Sequence, residues 1–168
     1  DLGCGAGNIS IMLAELNHKI IGIDESKAMI DMSQNARKKL SNSFKDNVKF
    51  YCESITNNSL NKGQYDICIA MGVIGYFEKD EDEQKAINAM VSNLKAGGVL
   101  IIDFMNVKKV ISNLVASEQK TIDDITFDIR RKMGNKHIIK DIHIIEGTIQ
   151  EHFQEKVKWN NINLYTKH

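Results

Sequence analysis

Short apolar runs alternate with amphipathic stretches over the first hundred residues of the chain. The runs have the length and the composition of strands that are buried on both faces. Because helical patterns separate them, they predict a doubly wound α/β domain, with a parallel sheet and helices on both faces. The predicted strands lie at residues 19–24, 48–52, 65–70 and 99–104.

Helical spacing of apolar residues predicts three helices between these strands. The first covers residues 8–16, and the second runs from a capping Ser26 to about Leu40. The third begins near Asp80 and ends at the pair Gly97-Gly98, since glycine commonly follows the last turn of a helix. The predicted apolar face of the first helix carries Ile9, Met12, Leu13 and Leu16, and that of the second carries Met29, Met32, Ala36 and Leu40.

The pattern changes after residue 105. A helix is predicted over residues 107–116, and the following stretches alternate polar and apolar residues, as half-exposed antiparallel strands do. We therefore expect an α/β core over residues 1–105, followed by a helix and a small antiparallel sheet over residues 106–168. The strands of that sheet are predicted at residues 121–132, 138–145 and 148–159.

Composition narrows the function classes. The 22 basic residues balance the 22 acidic ones, which argues against a nucleic-acid binder, and no apolar run is long enough to span a bilayer. The cysteines Cys4, Cys52 and Cys68 are odd in number and widely spaced, so neither a disulfide framework nor a metal site is expected. A reducing, cytoplasmic compartment fits this pattern.

The segment D-L-G-C-G-A-G, residues 1–7, precedes the first predicted helix and indicates a tight turn that lets the backbone approach a ligand. Asp24 ends the next strand, 23 residues after Asp1, where a carboxylate can accept from both ribose hydroxyls of a nucleoside. Capping of the following helix is the alternative role of Asp24. A dinucleotide fingerprint would require glycine at position 8, which is Asn8.

With glycines at positions 3, 5 and 7 after Asp1, the sequence resembles the class I S-adenosylmethionine-dependent methyltransferases. Other landmarks of that family match in order, at residues 23–24, 48–55, 65–71 and 94–100. The resemblance implies a Rossmann-like sheet, S-adenosylmethionine as cofactor, and methyl transfer to an N or O nucleophile. A nicotinamide-dependent oxidoreductase and a non-catalytic cofactor-binding protein are the alternatives.

The resemblance also implies roles for individual residues. Asp1 holds the amino group of the cofactor and Asp24 its ribose, while either Glu53 or Ser54 contacts the adenine. Met29 packs on the adenine ring or belongs to the core, and Tyr76 is the candidate for orienting the acceptor. The full set of implied cofactor-binding residues is Asp1, Gly3, Cys4, Gly5, Asp24, Glu25, Met29, Glu53, Ser54, Ile55, Met71 and Gly72.

The chain contains no proline, so the proline-containing motifs of DNA, glutamine and cytosine methyltransferases are absent. A small-molecule acceptor is therefore favoured, with no nucleic-acid or membrane partner. The antiparallel strands are expected to form a flap over that acceptor.

The resemblance implies that the sheet is centred on a first strand of which residue 1 marks the carboxyl end. We therefore expect the chain to be a fragment, truncated at both ends and unstable as an isolated monomer. Residues 160–168 are predicted to lead into a further helix.

Overall fold

The computed structural model describes residues 1–159, so the helix predicted to follow from residues 160–168 lies outside the described residues. The described chain divides into two compact units, one covering Asp1–Asp103 and the other beginning at Phe104. The first unit carries the alternating strands and helices, and the second carries the antiparallel sheet.

The first unit contains four helices, four strands and one turn of 3-10 helix. Strands β1 and β2 pair in parallel, and β3 and β4 form a second parallel pair. Leu2 lies between the pairs: it bridges to Ile23 of β1, and its N–H donates to the carbonyl of Ile69 in β3 at 2.8 Å. The elements are α1 (Asn8–Glu15), β1 (Ile20–Asp24), α2 (Lys27–Lys39), α3 (Asn42–Lys45), β2 (Val48–Cys52), β3 (Tyr65–Ala70), the 3-10 turn (Ile74–Tyr76), α4 (Asp80–Asn93) and β4 (Leu94–Ile102).

The buried faces of α1 and α2 differ from the predicted ones. Met12 and Leu16 are 53% and 64% exposed, whereas Ser10 and Ala14 are fully buried on α1. On α2 the buried residues are Ile30 and Ser33. Of the predicted face, Leu40 is buried at the end of the helix, whereas Met29 and Met32 are 39% and 54% exposed. Small side chains allow a helix to lie close to its neighbours, so the best-buried positions are not the largest apolar ones. The cluster beneath these helices contains Ala14, Ile30, Leu40, Val48 and Phe50.

The prediction that Gly97-Gly98 ends the third helix is wrong. Helix α4 ends at Asn93, and Leu94 already has extended backbone angles and pairs with Tyr65. Gly97 has a φ of +79°, and the strand register shifts before Val99 pairs with Ile67. The glycines therefore form an irregular step inside β4, where they let the strand bulge and resume its pairing.

The second unit is a four-stranded antiparallel sheet of order β5-β6-β7-β8, with one short helix before it. The predicted strand over residues 121–132 is in fact part of a hairpin, whose turn is formed by Asp123 and Asp124 at φ +47° and +67°. Aspartate tolerates the left-handed region, so this turn forms without glycine. The elements are α5 (Val107–Asn113), β5 (Ser117–Ile122), β6 (Ile125–Met133), β7 (His137–Glu146) and β8 (Ile149–Lys158).

Successive side chains of a strand point to opposite faces, so the neighbouring Arg130 and Arg131 of β6 lie on opposite faces of the sheet. Arg130 donates to Asp128 of the same strand, and Arg131 pairs with Glu118 of β5. Across residues 1–159, no helix has the length and hydropathy needed to cross a membrane.

Candidate cofactor site

A cavity of about 770 Å³ lies beside the carboxyl ends of β1 and β3. It is formed entirely by residues of the first unit and contains every predicted site residue except Glu53. A smaller depression of about 540 Å³, between α1 and α2, contains none of them. The predicted residues that line the larger cavity are Asp1, Gly3, Cys4, Gly5, Asp24, Glu25, Met29, Ser54, Ile55, Met71, Gly72 and Tyr76.

The glycine turn needs both the freedom and the small size of its residues. Gly3, Gly5 and Gly7 have φ values of +71°, +54° and +84°, in the region that L side chains rarely adopt. A β-carbon on Gly3 would lie 2.4 Å from a methyl group of Val73, whereas one on Gly5 would meet nothing within 4 Å. The turn therefore packs against Val73 at Gly3 and leaves open space at Gly5.

Asp24 joins the glycine turn to the start of α2. Its Oδ2 accepts from the backbone N–H of Gly5 at 2.9 Å, and its Oδ1 accepts from the N–H of Ser26, also at 2.9 Å. Ser26 in turn caps α2 by accepting from the N–H of Met29 at 3.4 Å, as predicted. Each carboxylate oxygen has a second lone pair, so this arrangement fixes the carboxylate and keeps it able to accept from a ligand.

Asp1 is the second fixed carboxylate of the cavity. Its Oδ2 accepts from the hydroxyl of Ser10 in α1 at 2.6 Å. With Glu25, three carboxylates line the cavity, and among the described residues no lysine, arginine or histidine does. The site is therefore suited to a ligand that carries positive charge.

Of the two candidates for the adenine contact, Ser54 lines the cavity and Glu53 does not. The Glu53 carboxylate accepts from the hydroxyl of Ser59 at 2.6 Å and from its N–H at 2.7 Å. These two hydrogen bonds lower the pKa of the Glu53 carboxyl. The prediction that Glu53 belongs to the cavity lining is therefore corrected. Its carboxylate binds Ser59 within the loop after β2 instead.

The segment that follows β3 gives the cavity a mostly apolar part of its lining. It carries Met71, Val73, Tyr76 and Phe77 around Gly72, whose N–H donates to Asp103 Oδ1 at 2.6 Å. Tyr76 ends the 3-10 turn and is 53% exposed. Met29 lines the cavity and is 39% exposed, so it belongs to the cavity wall and not to the core.

Cys4 lines the cavity but is a poor nucleophile. Burial, with a smaller contribution from the negative charge of Asp24, raises the pKa of the Cys4 thiol to about 11. Since the thiolate is the reactive form, iodoacetamide at about pH 8 is expected to label the exposed Cys52 and to leave Cys4 unlabelled. Mass spectrometry of the labelled peptides checks this, with labelling in guanidinium as the control. Equal labelling rates for both thiols in the folded protein would contradict it.

Sequence reasoning did not assign several other cavity residues. The sequence predicts Ser26 only as a helix cap, and its position two residues after Asp24 is the signal that could have placed it at the site. The position of Phe77 next to Tyr76 is the corresponding signal for Phe77. Ser10 gave no signal, because its contact with Asp1 depends on how α1 packs. The unassigned lining residues are Ala6, Asn8, Ile9, Ser26, Val73 and Phe77.

The parallel strands, the glycine turn and the acidic residue that ends β1 define an α/β nucleoside-cofactor domain. The sequence profile described as "Methyltransferase domain" matches residues 1–163. The chain therefore belongs to this methyltransferase family, of the class I S-adenosylmethionine-dependent type.

Curated relatives match the first part of the chain. The ubiquinone biosynthesis O-methyltransferase of Coxiella burnetii is 27% identical over 106 residues, which is 63% of this chain and 42% of that protein. The putative methyltransferase YqeM of Bacillus subtilis is 31% identical over 104 residues, 61% of this chain and 40% of that one. The chain thus aligns with about two fifths of the length of these relatives.

Among solved structures, the methyltransferase CcbJ from Streptomyces caelestis has a TM-score of 0.80 at 15% identity. The match covers 97% of this chain and 66% of that one. At this identity the likeness concerns the fold alone, and it confirms the predicted α/β fold class.

Proposed function

We propose that this protein transfers a methyl group from S-adenosylmethionine to a nitrogen or oxygen atom of a small molecule. The observation that carries the proposal is the acidic cavity at the glycine turn, with Asp1 and Asp24 each fixed by hydrogen bonds. S-adenosylmethionine carries a sulfonium and an ammonium group, and both complement these carboxylates. In this proposal Asp1 accepts from the ammonium group, and Asp24 accepts from the ribose hydroxyls.

The same geometry disfavours a nicotinamide dinucleotide, in agreement with the family match. A dinucleotide places its pyrophosphate on backbone N–H groups of the glycine turn and the helix that follows. Here the N–H of Gly5 already donates to Asp24, and three carboxylates line the cavity. A pyrophosphate would therefore meet negative charge and one fewer donor.

When bound, the cofactor supplies a methyl group that is already activated by its positive sulfur. The protein then has mainly to align the acceptor atom with that methyl group and to exclude water. We propose that Met71, Gly72 and Phe77 form the wall around the reacting atoms, and that the Tyr76 hydroxyl orients the acceptor. Tyr76 is thereby the candidate catalytic residue, and the apolar wall favours an acceptor without negative charge.

The remaining parts of the proposal concern partners and location. We propose that residues 106–168 form the acceptor cap and that residues 1–105 bind the cofactor. A sugar N-methyltransferase from a Streptoalloteichus species shares the fold at a TM-score of 0.75 and 20% identity, and its match covers 98% of this chain.

The free cysteines Cys4, Cys52 and Cys68 suit a reducing cytoplasm. We propose no nucleic-acid or membrane partner, because the chain has no net charge.

Replacing Asp24 with alanine tests the cofactor site. Loss of a charged acceptor for the ribose should weaken S-adenosylhomocysteine binding by roughly 1–3 kcal/mol, about 5- to 150-fold. Isothermal titration calorimetry on the full-length protein measures this. Asp66→Ala is the matched control, since Asp66 is an exposed carboxylate that pairs with Lys95 and does not line the cavity. Unchanged affinity in a folded Asp24→Ala protein would reject the role of Asp24. In a separate activity assay, absence of methyl transfer by the wild type would favour a non-catalytic cofactor-binding protein.

A further inference from the structure

We infer that Ser10 is a positioning residue of the cofactor site, which holds the Asp1 carboxylate for the ammonium group of the cofactor. The inference rests on the proposed function, in which Asp1 accepts from that group. Ser10 does not line the cavity, so its effect on the ligand must pass through Asp1.

The Ser10 hydroxyl is unusual in where it donates. A serine inside a helix commonly donates to a backbone carbonyl three or four residues earlier. Ser33 in α2 has this common arrangement, since its hydroxyl donates to the carbonyl of Ile30 at 2.8 Å. Ser10 instead donates out of α1 to Oδ2 of Asp1, nine residues earlier, at 2.6 Å.

Burial makes this hydrogen bond effective. Ser10 has no exposed surface, so no solvent competes for its hydroxyl, and the acceptor carries negative charge. The bond engages one oxygen of Asp1, which fixes the rotation of the carboxylate. The second oxygen, Oδ1, is then left for the ligand, so the orientation of Asp1 is set before the cofactor binds.

The sequence of α1 supports a requirement for the hydroxyl at this position. Both fully buried residues of α1 are small, and the other one is Ala14. Alanine would fill the Ser10 position with less cost of polar burial, and it has the better helix propensity. The presence of a hydroxyl at this fully buried position of α1 is explained by its hydrogen bond to Asp1.

The test uses ligands that differ in the amino acid portion of the cofactor. S-adenosylhomocysteine carries the ammonium group, whereas methylthioadenosine has the adenosine and sulfur without it. In the full-length protein, Ser10→Ala should weaken S-adenosylhomocysteine binding roughly tenfold, as expected when a hydrogen bond to a charged group is lost. Methylthioadenosine affinity should change by less than about twofold, because that ligand makes no contact with Asp1.

Two further variants separate positioning from packing. Ser10→Thr keeps the donor and should restore most of the S-adenosylhomocysteine affinity. Ser33→Ala removes an equally buried hydroxyl with no carboxylate partner and should leave both affinities unchanged. Calorimetry gives the affinities, and thermal unfolding confirms that each variant folds.

The outcomes are distinct. Equal weakening of both ligands by Ser10→Ala would overturn the inference, and so would equal affinities of the alanine and threonine variants for S-adenosylhomocysteine. A wild-type protein that binds neither ligand would overturn the proposed function and this inference with it. A selective, threonine-restored loss of S-adenosylhomocysteine binding supports it.

Discussion

Replacing Gly7 with alanine is expected to lower the free energy of unfolding by roughly 3–5 kcal/mol, a large part of the stability of a small domain. Gly7 precedes the first residue of α1 and has a φ of +84°, which alone strains any residue with a β-carbon. The added carbon would also lie 2.7 Å from the Phe50 ring and 2.9 Å from the β-carbon of Ser33, inside the core. Chemical denaturation of the full-length protein measures the loss.

Gly63→Ala is the matched control for this prediction. Gly63 has a similar φ of +67°, but a β-carbon there would meet nothing within 4 Å. Its alanine variant should therefore lose only the backbone contribution, roughly 1–2 kcal/mol. If the two variants were equally destabilised, the close packing of the glycine turn against Phe50 and Ser33 would be wrong.

The bounds of three strands in the first unit follow from the sequence, whereas β4 covers Leu94–Ile102 and not residues 99–104. Strands β2 and β3 have the predicted bounds, and β1 begins one residue later than predicted. Burial alternates along β2, and Ile67 of β3 is 53% exposed, so the strands are not covered on both faces as predicted. Their ends are marked instead by the polar and turn-forming residues that flank each apolar run. In the sheet that the family resemblance implies, the central strand lies between the strands that are β1 and β3 here. Leu2 occupies that position, because it contacts Ile23 of β1 and Ile69 of β3.

The errors arise where tertiary packing outweighs local pattern. The spacing of apolar residues predicts that Met12 and Leu16 of α1 are buried, but the buried positions of that helix hold the small residues Ser10 and Ala14. Gly97-Gly98 resembles a helix end, yet its backbone serves a bulge inside β4. The hairpin at Asp123-Asp124 lacks the glycine that would have indicated a turn.

The candidate site was predictable to the extent that it depends on strand ends. Asp24 and Met71 follow directly from the rule that ligands bind beyond the carboxyl ends of parallel strands. The direction of a side chain in a loop does not follow from that rule, and Glu53 is turned to Ser59 by two local hydrogen bonds. Ser10 depends on the distance between α1 and Asp1, which no short sequence pattern encodes.

The second large effect concerns the antiparallel sheet. Within residues 1–159, strands β5 to β8 pair only with one another, and all described residues that line the cofactor cavity belong to the first unit. Replacing residues 117–158 with a linker should therefore spare cofactor binding. Strands β5 and β8 lie at opposite edges of the sheet. The strand register aligns Ser117 of β5 with Gln154 of β8, three strand spacings away. The gap to be bridged is roughly 20 Å by strand spacing and rise.

A linker of about eight glycine and serine residues can span that gap. In this deletion variant, S-adenosylhomocysteine affinity should stay within about threefold of wild type, while methyl transfer to the acceptor should fall at least about 100-fold. The reason is that the proposed cap completes the alignment of the acceptor and the exclusion of water, whereas the described lining of the cofactor cavity comes from the first unit. Replacing Asp123-Asp124 with Asn-Gly is the control, because it keeps the hairpin turn and should keep both activities. A folded deletion variant that still turns over its acceptor would show that the antiparallel sheet is not the acceptor cap.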